Sequence, residues 1–392
     1  MINILLKIRT FLLVGILIFS FSCSDDEGEI EEVITDIENV EEGQEETPDN
    51  ENPGGEDSNN DDSNNGGSEE VNPNDIVELE AENAFGLNPE LEPWENFDLT
   101  DWGLDTPAPR PEDECRAVRI DEDEWDTFRT STSEEYFFTH TDGGMRFVSP
   151  VGGVTTSRSC DSGFPRSELR EQLRRGDRSI STTGVTRNNW ALGYQEPNPD
   201  HGGRNGVLTA TLIVNKVTTT GDFNSKHPGR TIIGQIHAKD DEPARLYYRK
   251  CPDNEYGSIY LEHEIRDVGD VTFNLMGSEN CIDNPSNGFR LGELFSYEII
   301  NEGQFVSVYI YEGDIEGQER ADAVASTTVD MTTVERDGVV GSGYDEPTLE
   351  DGELEDEWMY FKAGAYTQNN TGDPEDTDII TFYRLSNTHD AN

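Results

Sequence analysis

Between residues 85 and 392 the hydrophobic positions come in short alternating runs, separated by Gly, Asn, Asp and Pro. Alternation with period two marks a half-buried strand, because successive side chains point to opposite faces. The clearest runs are residues 207–217, 231–239, 258–266, 295–300, 305–311, 359–368 and 379–385. Asn301-Glu302-Gly303, between two of them, has the composition of a hairpin turn. No long stretch repeats its apolar positions at helical spacing. The number, spacing and polarity of the runs predict an all-β domain, two antiparallel sheets packed as a jelly roll or a related sandwich. Strand order is not set by the pattern, and no solenoid repeat is present.

Three runs carry polar residues on one face. In R-S-E-L-R-E-Q-L-R-R, residues 166–175, Arg166, Glu168, Arg170, Gln172 and Arg174 share one side of an extended strand. Leu169 and Leu173 on the other side are available for a core. A row of guanidinium groups suits carboxylate binding, and it equally suits a solvated face laced by Arg-Glu pairs. In T-I-I-G-Q-I-H-A-K, residues 231–239, Gln235 and His237 share a face opposite Gly234, Ile236 and Ala238. In Y-F-K-A-G-A-Y-T-Q, residues 360–368, Tyr360, Lys362, Gly364, Tyr366 and Gln368 lie together, and Gly364 is expected to leave room for a ligand. A histidine or tyrosine on a strand is more often structural than catalytic, so each run alone leaves both readings open.

Composition divides the chain. It has 392 residues and a formal net charge of -55. Residues 24–80 hold 23 acidic side chains and no Lys or Arg, too little apolar surface to offset the entropy of ordering. That stretch is predicted to be a disordered, self-repelling tether. Before it, Lys7 and Arg9 precede an apolar run over residues 11–21, short enough for an export signal. Cys23 then opens an acidic run, which resembles the signal of bacterial surface lipoproteins of the Bacteroidetes type, with Ser20 where Leu is commonest. The expected organisation is a signal peptide over residues 1–22, a lipidated Cys23 and tether over residues 23–80, and one β domain over residues 81–392. Lipidation implies an outer-membrane location at the cell surface, with the membrane touched through the anchor only. The alternative is a soluble secreted protein. Acidity argues against nucleic-acid binding.

Four further cysteines, Cys115, Cys160, Cys251 and Cys281, make an even number in an exported protein and so point to disulfides. Sequence-near pairing gives Cys115–Cys160 and Cys251–Cys281. No spacing supports a metal site.

Arg, Gln, Lys, His and Tyr on three faces suit an acidic sugar polymer. Cleaving a uronan by β-elimination requires neutralising the C6 carboxylate, removing the C5 proton and protonating O4. Arg and Gln fit the first task, His and Tyr the others. The scheme needs no metal and no organic cofactor.

The segments R-S-E-L-R at 166–170, Q-I-H at 235–237 and Y-F-K-A-G-A-Y at 360–366 resemble, in order, the three signature regions of the alginate lyases of polysaccharide lyase family 7. N-F-D-L-T-D-W at 96–102 and F-V-S-P at 147–150 extend the likeness, which spans residue 85 to the C-terminus. The resemblance implies a β-jelly roll whose concave sheet forms the substrate cleft. It implies catalytic roles for Arg166 and Gln235 in neutralising the carboxylate, for His237 as base, and for Tyr366 as acid and, for one epimer, base. Arg170, Glu168 and Lys362 would bind substrate, with Glu168 orienting the arginines. Ile236 is associated with acceptance of guluronate, so guluronate-containing alginate is the expected substrate. Loops at residues 251–255, 274–287 and 339–355 are candidates to wall off one cleft end. The chain is expected to act as a monomer.

Two other classes fit less well. A non-catalytic carbohydrate-binding jelly roll needs no base and acid, and a glycoside hydrolase needs two placed carboxyl groups. The acidic clusters at residues 121–126 and 353–357 lie in loop-like sequence. A lyase for another polyuronate, such as glucuronan, would use the same chemistry.

Overall fold

The computed structural model describes residues 75–79, 85–128, 134–157, 163–223, 227–281, 284–350 and 353–391. The expected signal peptide, Cys23 and most of the tether lie outside the described residues. So does Cys160, and with it the Cys115–Cys160 pairing.

Two large sheets dominate. The first has eight strands in the order Gly269–Met276, Ser258–Ile265, Ala244–Arg249, Arg230–His237, Tyr360–Thr367, Arg166–Glu171, Trp102–Arg110 and Asp113–Ile120. The second runs Ala325–Asp330, Phe305–Glu312, Phe295–Glu302, Gly203–Lys216, Thr377–Asp390, Met145–Pro150 and Phe137–Thr139. Neighbours within these paths pair antiparallel. The short strand Trp190–Ala191 adds to Gly203–Lys216 in parallel. This is the expected β-jelly roll, with helix among the described residues limited to single turns such as Pro93–Asn96 and Trp125–Phe128.

Alternation decides what lies between the sheets. Leu169, Ile236, Phe361, Ala363 and Ala365 of the first sheet meet Phe147, Leu208, Leu212, Ile299 and Phe382 of the second in one buried core. Each large side chain buried there contributes about 1.5–3 kcal/mol. Tyr297 crosses the gap, its hydroxyl donating to the Ile233 carbonyl at 2.8 Å. Because these residues face inward, the residues alternating with them must share the outer face of the first sheet.

Strand ends differ from the alternation in two places. Glu302 pairs with Phe305, so the hairpin turns on Gly303 and Gln304, with Gly303 at φ 58°. More consequentially, the Arg166 strand stops at Glu171. The chain then turns, with Arg175 at φ 49° and Gly176 at φ 83°. Arg174, Arg175 and Arg178 therefore do not extend the row. Arg174 Nε pairs with Glu122 Oε1 at 2.7 Å and Arg178 Nη1 with Asp121 Oδ2 at 2.6 Å, while Arg175 pairs with Asp101.

Two tethers complete the domain. Val77 N donates to Asn215 O at 3.0 Å, and Glu78 accepts from Arg146 Nη1 at 3.0 Å, so the last residues of the acidic stretch dock on the second sheet. Cys251 and Cys281 form the expected disulfide, with their Cα atoms 5.6 Å apart.

Candidate active site

The three singled-out runs are neighbours: Arg230–His237, Tyr360–Thr367 and Arg166–Glu171 are adjacent at the centre of the first sheet. Register sets Arg170 opposite Lys362, Glu168 opposite Gly364 and Arg166 opposite Tyr366. On the other side of the same strand, Lys362 faces Gln235 and Tyr360 faces His237. Opposed residues of an antiparallel pair present their side chains on one face. All seven predicted site residues thus share the outer face of the first sheet.

Glu168 organises the centre. Fully buried, it accepts a hydrogen bond from Gln235 Nε2 at 2.6 Å and pairs through Oε2 with Arg166 Nη1 at 3.4 Å and Lys362 Nζ at 3.3 Å. A carboxylate buried this deeply is tolerable only with such partners. Glu168 does not reach both arginines, as the sequence reading had it. Arg170 Nη2 instead donates to the Thr182 carbonyl at 3.0 Å, and its guanidinium lies 4.2 Å over the Tyr360 ring. The Arg166 guanidinium lies 3.7 Å over the Tyr366 ring. An arginine face against an aromatic face both packs and attracts.

His237 is held on three sides. Its Nδ1 donates to the Ala238 carbonyl, and its ring stacks on Tyr360 with centroids 4.8 Å apart. A carbonyl can only accept, so Nδ1 carries a proton and Nε2 is the nitrogen left to exchange one. Nε2 lies 3.2 Å from Glu242 Oε1. Burial pushes the Glu242 carboxyl well above its ordinary value, Arg245 draws it back only in part, and Glu264 adds to the rise. One proton between Nε2 and Glu242 Oε1 satisfies both groups.

The site is enclosed. His237 is 1% and Tyr366 5% exposed, and Phe164 packs against the cluster of Tyr366, Ile232, Tyr247 and Tyr260. Phe164 in turn contacts His227, ring centroids 5.4 Å apart.

Gly364 has a different reason from the expected one. A Cβ there would meet Ser167 O at 2.5 Å and Glu168 Cα at 2.7 Å. The glycine lets the two strands approach; it does not make room for a ligand. Tyr360 and Glu242 were missed as site residues. Tyr360 was visible on the right face of its run, but Glu242 sits in Asp240-Asp241-Glu242-Pro243, which reads as a turn. Among the described residues no cluster of His, Cys, Asp and Glu could hold a metal ion.

Comparison with known proteins adds to this geometry. A family described as alginate lyase matches residues 97–389. An alginate lyase of Klebsiella pneumoniae is 41% identical over 312 residues, covering 76% of this chain and 92% of that protein. The crystal structure of the alginate lyase from Klebsiella pneumoniae matches with a TM-score of 0.65 at 38% identity, over 77% of this chain and 99% of that one. An exolytic family 7 alginate lyase from Zobellia galactanivorans matches with a TM-score of 0.54 at 19% identity, over 76% of this chain and 98% of that one. At that identity the likeness speaks for the fold alone.

Proposed function

Because the chain belongs to the alginate lyase family, we propose that it cleaves guluronate-containing alginate by β-elimination on the outer face of the first sheet, leaving a 4,5-unsaturated uronate end. The observation that carries the reading is the placement of Arg166, Gln235, His237 and Tyr366 on adjacent strands around one buried carboxylate, Glu168.

Each group has the valence its step needs. Gln235 Nε2 spends one N–H on Glu168 and keeps a second for the C6 carboxylate, which Arg166 neutralises from the neighbouring row. Neutralised, that carboxylate can take up the charge that develops when C5 loses its proton. His237 Nε2 takes the C5 proton, which requires Glu242 to give up its hydrogen bond to that atom. The Tyr366 hydroxyl then donates to O4 as the glycosidic bond breaks. Glu168, acceptor to Gln235, Arg166 and Lys362 at once, fixes the positions of the three and is no proton carrier itself. Guluronate preference rests on Ile236, whose side chain is buried in the core and so acts only by setting the strand that carries Gln235 and His237.

A product-size time course on purified guluronate and mannuronate blocks, read by the ultraviolet absorbance of the unsaturated end, tests the whole reading. Faster release from guluronate blocks is expected. Release from mannuronate blocks alone overturns the preference, and no unsaturated product from either overturns the reaction.

A further inference from the structure

Beyond the Gln235–His237 strand, the same face of the first sheet carries a second set of groups built for an anion. Register runs on from Tyr366 to Ile232, from Ile232 to Tyr247 and from Tyr247 to Tyr260. Tyr366, Ile232, Tyr247 and Tyr260 also form one contact cluster, so the row is continuous with the candidate catalytic residues. Two positions along these strands, Arg230 stands directly opposite Arg249.

Like charges directly opposed in a sheet repel, and among the described residues only one of this pair forms an ion pair with a carboxylate. Arg230 Nη2 lies 2.8 Å from Glu262 Oε2, and its guanidinium sits 4.2 Å over the Tyr247 ring. Arg249 is 3% exposed. Among the described residues no carboxylate forms an ion pair with it; its Nη1 donates to the Glu279 carbonyl and its Nε has no hydrogen-bond partner. A buried guanidinium beside a second one, with no carboxylate in ion-pair contact among the described residues, is costly unless an anion arrives.

Tyr247 supplies a neighbouring donor. It is fully buried, yet its hydroxyl has no hydrogen-bond partner among the described residues. Burial pushes its phenol well above the ordinary value, so the hydroxyl keeps its proton. Its ring stacks on Tyr260 at 4.8 Å. Tyr247 and Arg249 lie two apart on one strand and so point the same way, roughly 7 Å from one another along it. Arg249 is as deep as Arg166, which is also 3% exposed.

The surroundings hold the set in place. Cys251 follows Arg249 by two residues, and Glu279, whose carbonyl Arg249 grips, precedes Cys281 by two. The Cys251–Cys281 bridge therefore ties together the strand that carries Arg249 and the loop it contacts.

We propose that Arg249 and Tyr247 form a second carboxylate-binding subsite, which holds a uronate of the same substrate chain beside the residue being cleaved. This rests on the reading of the chain as a uronan lyase. The subsite lies about 10 Å from Tyr366, two strand spacings away, so it is reached only by a substrate that extends past the scissile unit on that side.

Full-length Arg249→Gln, Arg249→Lys and Tyr247→Phe variants, assayed on guluronate oligomers of graded length, test it. Losing a charge-assisted hydrogen bond should raise KM roughly 10-fold or more for long oligomers. For Arg249→Gln, kcat should stay within about twofold and the shortest cleavable oligomer should be unaffected, as expected for lost binding energy remote from the chemistry. Arg249→Lys should recover part of the loss. Tyr247→Phe should show the same length dependence, and it carries the test alone if Arg249→Gln does not fold. An unchanged KM at every length, or a rise equal at every length, overturns the subsite while wild-type cleavage still stands. Absence of unsaturated product from the wild type overturns the underlying reading instead.

Discussion

The chemistry hangs on a few atoms whose neighbours can be separated by mutation. Tyr366→Phe removes a hydroxyl but keeps the ring on which the Arg166 guanidinium rests, 3.7 Å away. Folding and substrate affinity should therefore survive, while kcat falls by about 10²–10⁴, the usual worth of a positioned proton donor. The unsaturated-product rate and KM, measured together, check this; a variant with more than a tenth of wild-type kcat shows that the hydroxyl moves no proton. His237→Ala should be as damaging on guluronate blocks, since it removes the nitrogen assigned to take the C5 proton. How far these residues were legible depended on whether partners were local. Gln235 and His237, two apart, declared a common face. Glu242 could not be read as a partner of His237, because it comes from a turn that only the folded chain brings within 3.2 Å.

At the level of strands, the period-two pattern located most of the elements but not their order. Tyr360–Thr367 lies between Arg230–His237 and Arg166–Glu171, a pairing across long sequence separations that alternation cannot specify. The pattern also overran the Arg166 strand. Polar residues continue to alternate past Glu171, yet Arg174 and Arg178 turn away to the acidic segment at residues 121–124, and Arg175 to Asp101, because opposite charges lie within reach there. Gly364 shows the converse: read as space for substrate, it is instead where two strands close up. Gly364→Ala tests this directly. Its Cβ would press on Ser167 O and Glu168 Cα, so the variant should lose about 1–3 kcal/mol in denaturant titration, the typical cost of overpacking. Activity should fall as well, because the shifted backbone carries the carboxylate that positions Gln235, Arg166 and Lys362. Wild-type stability with wild-type activity would remove close strand approach as the reason for glycine.

Across the whole molecule, the question is how a chain of net charge -55 binds a polyanion. Segregation answers it: Arg166, Arg170, Lys362, Arg230 and Arg249 lie on one sheet face, so the local field there is set by cations, while the overall charge governs solubility. On the inward side the same central strand carries a different device, which ties the two sheets together. Glu171, fully buried, accepts from His389 Nε2 at 2.7 Å, Trp190 Nε1 at 2.9 Å and Phe361 N at 3.0 Å, and also from Asn387 Nδ2. His389 and Asn387 belong to the C-terminal strand of the second sheet, so this ion pair locks that strand to the centre of the first. Burial alone would raise the Glu171 carboxyl, but the charge of His389 and the hydrogen bonds hold it below its ordinary 4.5. Burial would likewise lower His389, and Glu171 outweighs it, leaving the imidazole above its ordinary 6.5. The signs then fix a window. The Glu171 contribution is complete above pH 4.5 and is lost as pH falls through its depressed folded value. The His389 contribution is complete below pH 6.5 and is lost as pH rises through its elevated folded value. Glu171→Gln keeps the shape and removes the charge, so the stability difference from wild type should be greatest between pH 4.5 and 6.5. About 3–5 kcal/mol is expected there, the usual cost of breaking a buried pair, shrinking on both sides. Urea midpoints across that range measure it, and a difference that stays flat with pH would mean the pair is held as neutral hydrogen-bonded groups and the sheets are joined by packing alone.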